Sequence, residues 1–165
     1  MKLIISEKFP RIVRNKKKLE EKLGVRINNR GKEITIKGTP INEYPAEKVI
    51  EAIDFGFSLS TALLIKEEDF TFEIINIKDH TKRKDLERIR ARLIGTQGKT
   101  LKTLHDLTNC NFELKDNYVG IIGNPEHIEN AQNAVIAIIK GAKQSNVYNF
   151  LERHHPESVG DWGLK

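Results

Sequence analysis

A single cysteine, Cys110, stands in 165 residues, so the chain has no internal disulfide. Its longest apolar runs fall far short of the ~18 residues that suggest a membrane span. The N-terminal stretch MKLIISEKF leads into no apolar core of signal-peptide length. A cytoplasmic protein without membrane contact is expected. Metal and catalytic constellations are missing too. His154 and His155 are adjacent, which on a helix points them in different directions, and no Cys or further His lies at ligand spacing. The acids gather in exposed-looking stretches such as KEED at 66–69, and no pair of them has a reason to converge. No metal, no cofactor and no enzymatic activity are therefore expected. Cys110 alternates onto one face with Phe112 and Leu114, which marks an inert core thiol and not a nucleophile.

What is present is enough apolar residue, 38%, for a modest core in one ordinary domain or two small ones. The net charge of +5 is unevenly placed. Residues 8–37 hold eleven Lys or Arg against three Glu, and residues 78–102 hold nine against three acids, which leaves the rest of the chain at −9. Two basic blocks in an otherwise acidic protein favour an anionic polymer as partner.

The sequence also repeats itself at an offset of 85. Leu19 falls on Leu104, Val25 on Cys110, Ile27 on Phe112, Ile34 on Val119, Ile36 on Ile121, Gly38 on Gly123 and Gly56 on Gly141. In the later copy, Phe70 to Ile77 has strand composition. Leu86, Ile89 and Leu93 then recur at helical spacing up to Gly95, and Leu101, Leu104 and Leu107 do so after Gly98. A hairpin follows, turning at Asp116-Asn117, and then a helix capped by Asn124 with Pro125 at its first position. The order is strand, helix, helix, strand, strand, helix.

The earlier copy keeps the later half of that order: a helix over Lys16 to Leu23, strands at Val25–Asn28 and Glu33–Lys37, and a helix from Pro45 to Phe55. About one helix and its glycine turn look missing, with Pro10 to Val13 standing where Gly-x-x-Gly would be. Ser58 and Ser145 are candidate caps of an extra helix after each copy. The expected fold class is α+β, with a boundary near 66: one domain over 1–66, a second over 67–155, and a flexible tail over 156–165.

Gly95-Thr96-Gln97-Gly98 joins two helices, and glycines there let another backbone approach closely. The helix after Gly98 offers unpaired N–H groups and the positive end of its dipole to a phosphate. Lys99 and Lys102 lie on that helix. Lys84, Arg88 and Arg92 form a basic stripe leading to Gly95, and like charges four apart oppose helix stability, so stability does not explain them.

These residues resemble a known family. RLIGTQGKTLKTLHDLTNCNFEL, the segment YVGIIGNPEHIENAQNAV and GAKQSNVYNFLER are similar to the second KH domain of the archaeal relatives of the partner-of-Nob (Dim-two) ribosome-assembly factors, themselves related to the KRR family of small-subunit processing factors. IEAIDFGFSLSTALLI resembles the segment after those proteins' first KH domain, so the likeness spans nearly the whole chain. The resemblance implies two tandem type I KH domains, the first degenerate and shortened. It implies binding of single-stranded RNA, the 3′ region of 16S rRNA, with the Nob endonuclease and the α subunit of archaeal initiation factor two as partners. Ile94 and Gly95 to Gly98 would clamp the RNA backbone, helped by Lys99, Thr100 and Lys102, while about four nucleotides lie in an apolar groove. Replacing Gly95 and Gly98 with Asp is expected to abolish binding and leave the fold intact.

Arg14, Lys16, Lys17 and Lys18 in the first unit read either as a solvated helix face or as a secondary RNA contact. A KH-fold scaffold for proteins, or a KH subunit of another RNA-processing complex such as the exosome, stays open as an alternative. Tyr148 and Phe150 read as packing residues of the last helix, with stacking on bases as the other possibility.

Overall fold

The computed structural model describes residues 1–154; the tail expected over 156–165 lies outside the described residues. The chain divides into two compact units, the first Met1–Phe72 and the second beginning at Glu73.

The first unit runs β1 (Lys2–Ile5), α1 (Phe9–Arg14), α2 (Lys16–Leu23), β2 (Arg26–Arg30), β3 (Glu33–Lys37), α3 (Pro40–Phe55) and α4 (Leu59–Glu67). Its antiparallel sheet has the order β1-β3-β2, with Ile4 opposite Ile34 and Ile27 opposite Ile36. Period-2 alternation sends Ile27, Ile34 and Ile36 into the core, where they meet Leu19, Leu23, Val49, Ile50 and Ile53 from the helices. Ser58 caps α4, its Oγ accepting the Thr61 N–H. Phe55, Phe57 and Phe72 form an aromatic trio with centroids 5.8 to 6.0 Å apart, two of the pairs edge to face.

Two expectations are corrected here. The helix that looked missing is present as the short α1: Pro10 sits in its first turn, and it buries only Ile12. Six residues with one apolar anchor give no period to read. Likewise α3 starts at Pro40 and not at Pro45, which lies inside it.

The second unit repeats the arrangement as β4 (Thr71–Asn76), α5 (Leu86–Ile94), α6 (Lys99–Thr108), β5 (Asn111–Lys115), β6 (Tyr118–Gly123), α7 (Pro125–Ile139) and α8 (Gln144–Arg153), with sheet order β4-β6-β5. Asn124 Oδ1 accepts the Glu126 N–H at the start of α7. The expected cap Ser145 is displaced: the backbone turns helical after Lys143, whose ψ of 135° is still extended. Residues related by the offset of 85 play the same part in both units at most of the paired positions, Ile27 and the partly buried Phe112 excepted. Leu19 and Leu104, Ile34 and Val119, and Ile36 and Ile121 are all fully buried. Even a close approach recurs. A Cβ on Gly38 would lie 2.9 Å from Val25 Cγ1, and one on Gly123 would lie 2.4 Å from Cys110 Sγ, the equivalent pair.

Cys110 is fully buried, and burial pushes its thiol from 9.0 up to about 11. The unfolded chain ionises first as pH rises through 9, so the thiol's contribution to stability is intact below 9 and is lost as pH climbs towards 11. A Cys110→Ala variant should show a flatter decline of unfolding free energy over that range. Gly123→Ala should lower stability by about 2 kcal/mol in denaturant melts, because a methyl group overlaps Cys110 Sγ. Combined with Cys110→Ala, the same change should cost clearly less than the two losses added.

Candidate nucleic-acid interface

Helix α5 ends because Gly95 takes φ 78° and ψ 169°, a region essentially closed to residues with a side chain. The Gly95 N–H still donates to Ala91 O, and the Gly98 N–H returns to Gly95 O at 3.1 Å, closing a single 3-10 turn over Thr96–Gly98. Gln97 and Gly98 are both left-handed, at φ 56° and 75°. Then α6 begins with Gly98 as its N-cap, so no side chain occupies the first-turn donors, and no acid lies in that turn. The Lys99 N–H donates to Thr96 O within the turn, and the helix opens with a positive dipole end that no side chain caps.

The two glycines serve different purposes. A Cβ on Gly95 would fall 2.3 Å from Thr100 Oγ1 and 2.6 Å from the Thr100 nitrogen, whereas one on Gly98 meets nothing within 4 Å. Gly95 is thus a packing requirement of the helix joint. Gly98 supplies a left-handed turn with open space beside it. The expectation that both could become Asp without harm to the fold is corrected at Gly95.

A cleft of about 550 Å³ opens beside the turn, and Arg88, Arg92, Gly95, Thr96 and Lys99 line it together. Thr100 reaches the cleft wall but is itself buried, packed under Gly95. Lys102, Gln97 and the partly exposed Ile94 lie on the exposed surface of α5, the turn and α6. Lys84 precedes the N-cap Asp85, whose Oδ1 accepts the Arg88 N–H, so it is not on the helix, and the expected stripe shortens to Arg88 and Arg92. Arg92 also bonds within the fold, its guanidinium donating to Ile138 O at 2.9 Å and to Ala142 O at 2.5 Å, at the end of α7.

Gln144 and Tyr148 of α8 form the far wall of the cleft. Gln144 was not among the sequence candidates, and no local signal marks it, because only the packing of α8 brings it there. Tyr148 packs partly against the core, as expected of a terminal helix, yet also faces the cleft. Phe150 packs at the core's edge and stacks on His154, centroids 4.5 Å apart. Among the described residues there is no group of three or more His, Cys, Asp or Glu that could hold a metal, and no helix long and apolar enough to cross a membrane. In the first unit, Arg14 closes α1, and Lys16, Lys17 and Lys18 form the first turn of α2, all exposed except the half-buried Lys16.

A strand, two helices joined by a Gly-x-x-Gly turn, a hairpin and a closing helix on a β4-β6-β5 sheet define a KH domain of type I. The family model of the second KH domain of PNO1 proteins, described as the eukaryotic type KH-domain (KH-domain type I), matches residues 71–156. The chain belongs to the PNO1/Dim2 family of KH-domain proteins. It is 32% identical over 145 residues to a KH domain-containing protein of Methanocaldococcus jannaschii, covering 84% of this chain and 64% of that one. It is 30% identical over 139 residues to the pre-rRNA-processing protein PNO1 of Eremothecium gossypii, covering 79% and 52%. The chain thus spans less than two thirds of the length of either relative. Among solved structures, a chain of the a/eIF2alpha-aDim2p-rRNA complex from Pyrococcus horikoshii superposes with a TM-score of 0.83 at 27% identity, over 92% of its own length and 93% of this chain.

Gly95→Ala should destabilise the protein by about 2 to 4 kcal/mol in urea titration, since it combines a steric overlap with a forbidden backbone region. Gly98→Asn should shift it by no more than about 1 kcal/mol, because Asn tolerates the left-handed region.

Proposed function

We propose that the protein binds single-stranded RNA, through the Gly95–Gly98 turn, as a small-subunit ribosome-assembly factor that holds the 3′ region of 16S rRNA for maturation. The observation that carries this reading is the uncapped start of α6, set beside a cleft lined by the exposed cations Arg88 and Lys99. A phosphate seated there receives N–H donors and charge together. The relatives' pre-rRNA processing and the rRNA complex support the choice of RNA. The α subunit of archaeal initiation factor two is a proposed partner on the same complex, and the Nob endonuclease is proposed from the family likeness.

The arrangement is that of tandem KH domains, the first degenerate. Both units share element order, sheet order and the recurrent glycine contact. The first lacks the glycine turn: α1 passes into α2 through Asn15 at φ −106°, whose own N–H and Nδ2 donate to Arg11 O. Arg14 and Lys16 to Lys18 then give a sequence-blind contact to phosphates. Cations in the first turn of α2 oppose its dipole, and an anion relieves both.

Fluorescence anisotropy with an oligonucleotide from the 16S rRNA 3′ end tests the reading. Gly98→Asp should weaken binding at least 30-fold while the unfolding midpoint stays near that of the parent. Affinity should fall with salt on a log–log plot, and Lys99→Ala should reduce that slope by about 0.7. Salt-independent binding, or an unchanged affinity in Gly98→Asp, would point instead to a protein scaffold.

A further inference from the structure

We propose that the cleft between the Gly95–Gly98 turn and α8 is a subsite for one nucleotide flanking the clamped RNA, with Tyr148 as the face on which its base stacks and Arg88 and Lys99 as the groups that hold its phosphate. The proposal rests on the RNA-binding reading above and adds a residue to it from outside the strand, helix and hairpin frame of the KH fold. Three observations carry it. The cleft, about 550 Å³, is of the size that takes small-molecule ligands, and none of its lining residues is acidic. An aromatic ring and two cations lining one cleft match a nucleotide, which has a π face at one end and an anion at the other. And the ring is held in place: Tyr148 is half-buried and packed against the core, on the helix that buries Val147 and Leu151.

The wall is also tied to the turn. Gln144 Nε2 donates to Arg92 O at 3.3 Å, while the Arg92 guanidinium donates to Ile138 O and Ala142 O. These bonds cross from the last turn of α5 to the end of α7 and the start of α8, so α8 cannot shift without loosening the helix that leads into Gly95. A base stacked on Tyr148 therefore meets a surface already positioned, with little ordering left to do on binding.

The test uses the whole chain and a six-nucleotide RNA from the 16S rRNA 3′ end, alone or extended by two adenosines at its 5′ or 3′ side. Stacking is sequence-tolerant, so adenosine serves as probe. One of the two extensions should raise affinity about tenfold. That gain should survive Tyr148→Phe and shrink to less than twofold in Tyr148→Leu. With 2-aminopurine in place of the first added adenosine, binding should quench its fluorescence in the parent and in Tyr148→Phe, and not in Tyr148→Leu. Absence of gain from either extension, or a gain and quench that persist in Tyr148→Leu, overturns the subsite while leaving the clamp standing. Failure of the unextended RNA to bind the parent protein overturns the clamp, and the subsite with it.

Discussion

The second unit's site depends on the contact between Gly95 and Thr100. Because Gly95 has no Cβ, the first turn of α6 can seat Thr100 directly against the end of α5, and two helices meet within a single turn of chain. That contact fixes the inner side of α6. Its outer side, led by Gly98, is left open: no side chain caps the first turn, where the Lys99 N–H donates to Thr96 O. Two residues without side chains thereby divide the work: Gly95 sets the joint, and Gly98 leaves space beside the helix start where an anion can approach.

The first unit separates these two consequences. It keeps a helix joint, at Asn15, with the same sheet behind it and the same buried leucine in its second helix. There the joint is made with ordinary backbone: the Asn15 N–H and Nδ2 donate to Arg11 O, and α2 too begins without a side-chain cap. Helix meeting helix is what the fold needs, and it can be met without glycine. The left-handed turn with open space beside it is an addition, made by Gly95 and Gly98. What α2 retains is charge, in Lys16 to Lys18, which can attract a phosphate backbone without gripping it.

Much of this was legible in the residues. Helical spacing of Leu86, Ile89 and Leu93, the strand alternation around Cys110, and the caps Asn124 and Ser58 each act locally, through a period or a hydrogen bond within a few residues. The offset of 85 carried further, because it predicted which positions share a role in the two cores. Elements too short for a period were hidden: α1 has one buried apolar residue. The first turn of α3 was hidden differently, since Pro45 reads as a helix start and Pro40 provides another. The far wall of the cleft was beyond reach in principle. Gln144 stands more than forty residues from the turn it faces, and only the packing of α8 brings the two together.

Arg92 shows how tertiary structure reassigns a charge. Two arginines four apart on α5 oppose its stability, and from the sequence an anionic ligand is the natural compensation. The structure supplies another: Ile138 O in the last turn of α7, where the helix dipole is negative, and Ala142 O in the loop beyond it accept the guanidinium's described bonds. Arg92 therefore offsets its cost within the fold, and its presence alone is no longer an argument for RNA. Arg88 and Lys99 carry that argument, since both are exposed and both line the same cleft beside a helix start that no side chain caps. Arg92, one of the three cations of the expected stripe, is better understood as a tie between α5 and the segment that leads from α7 into α8, the helix that carries Tyr148.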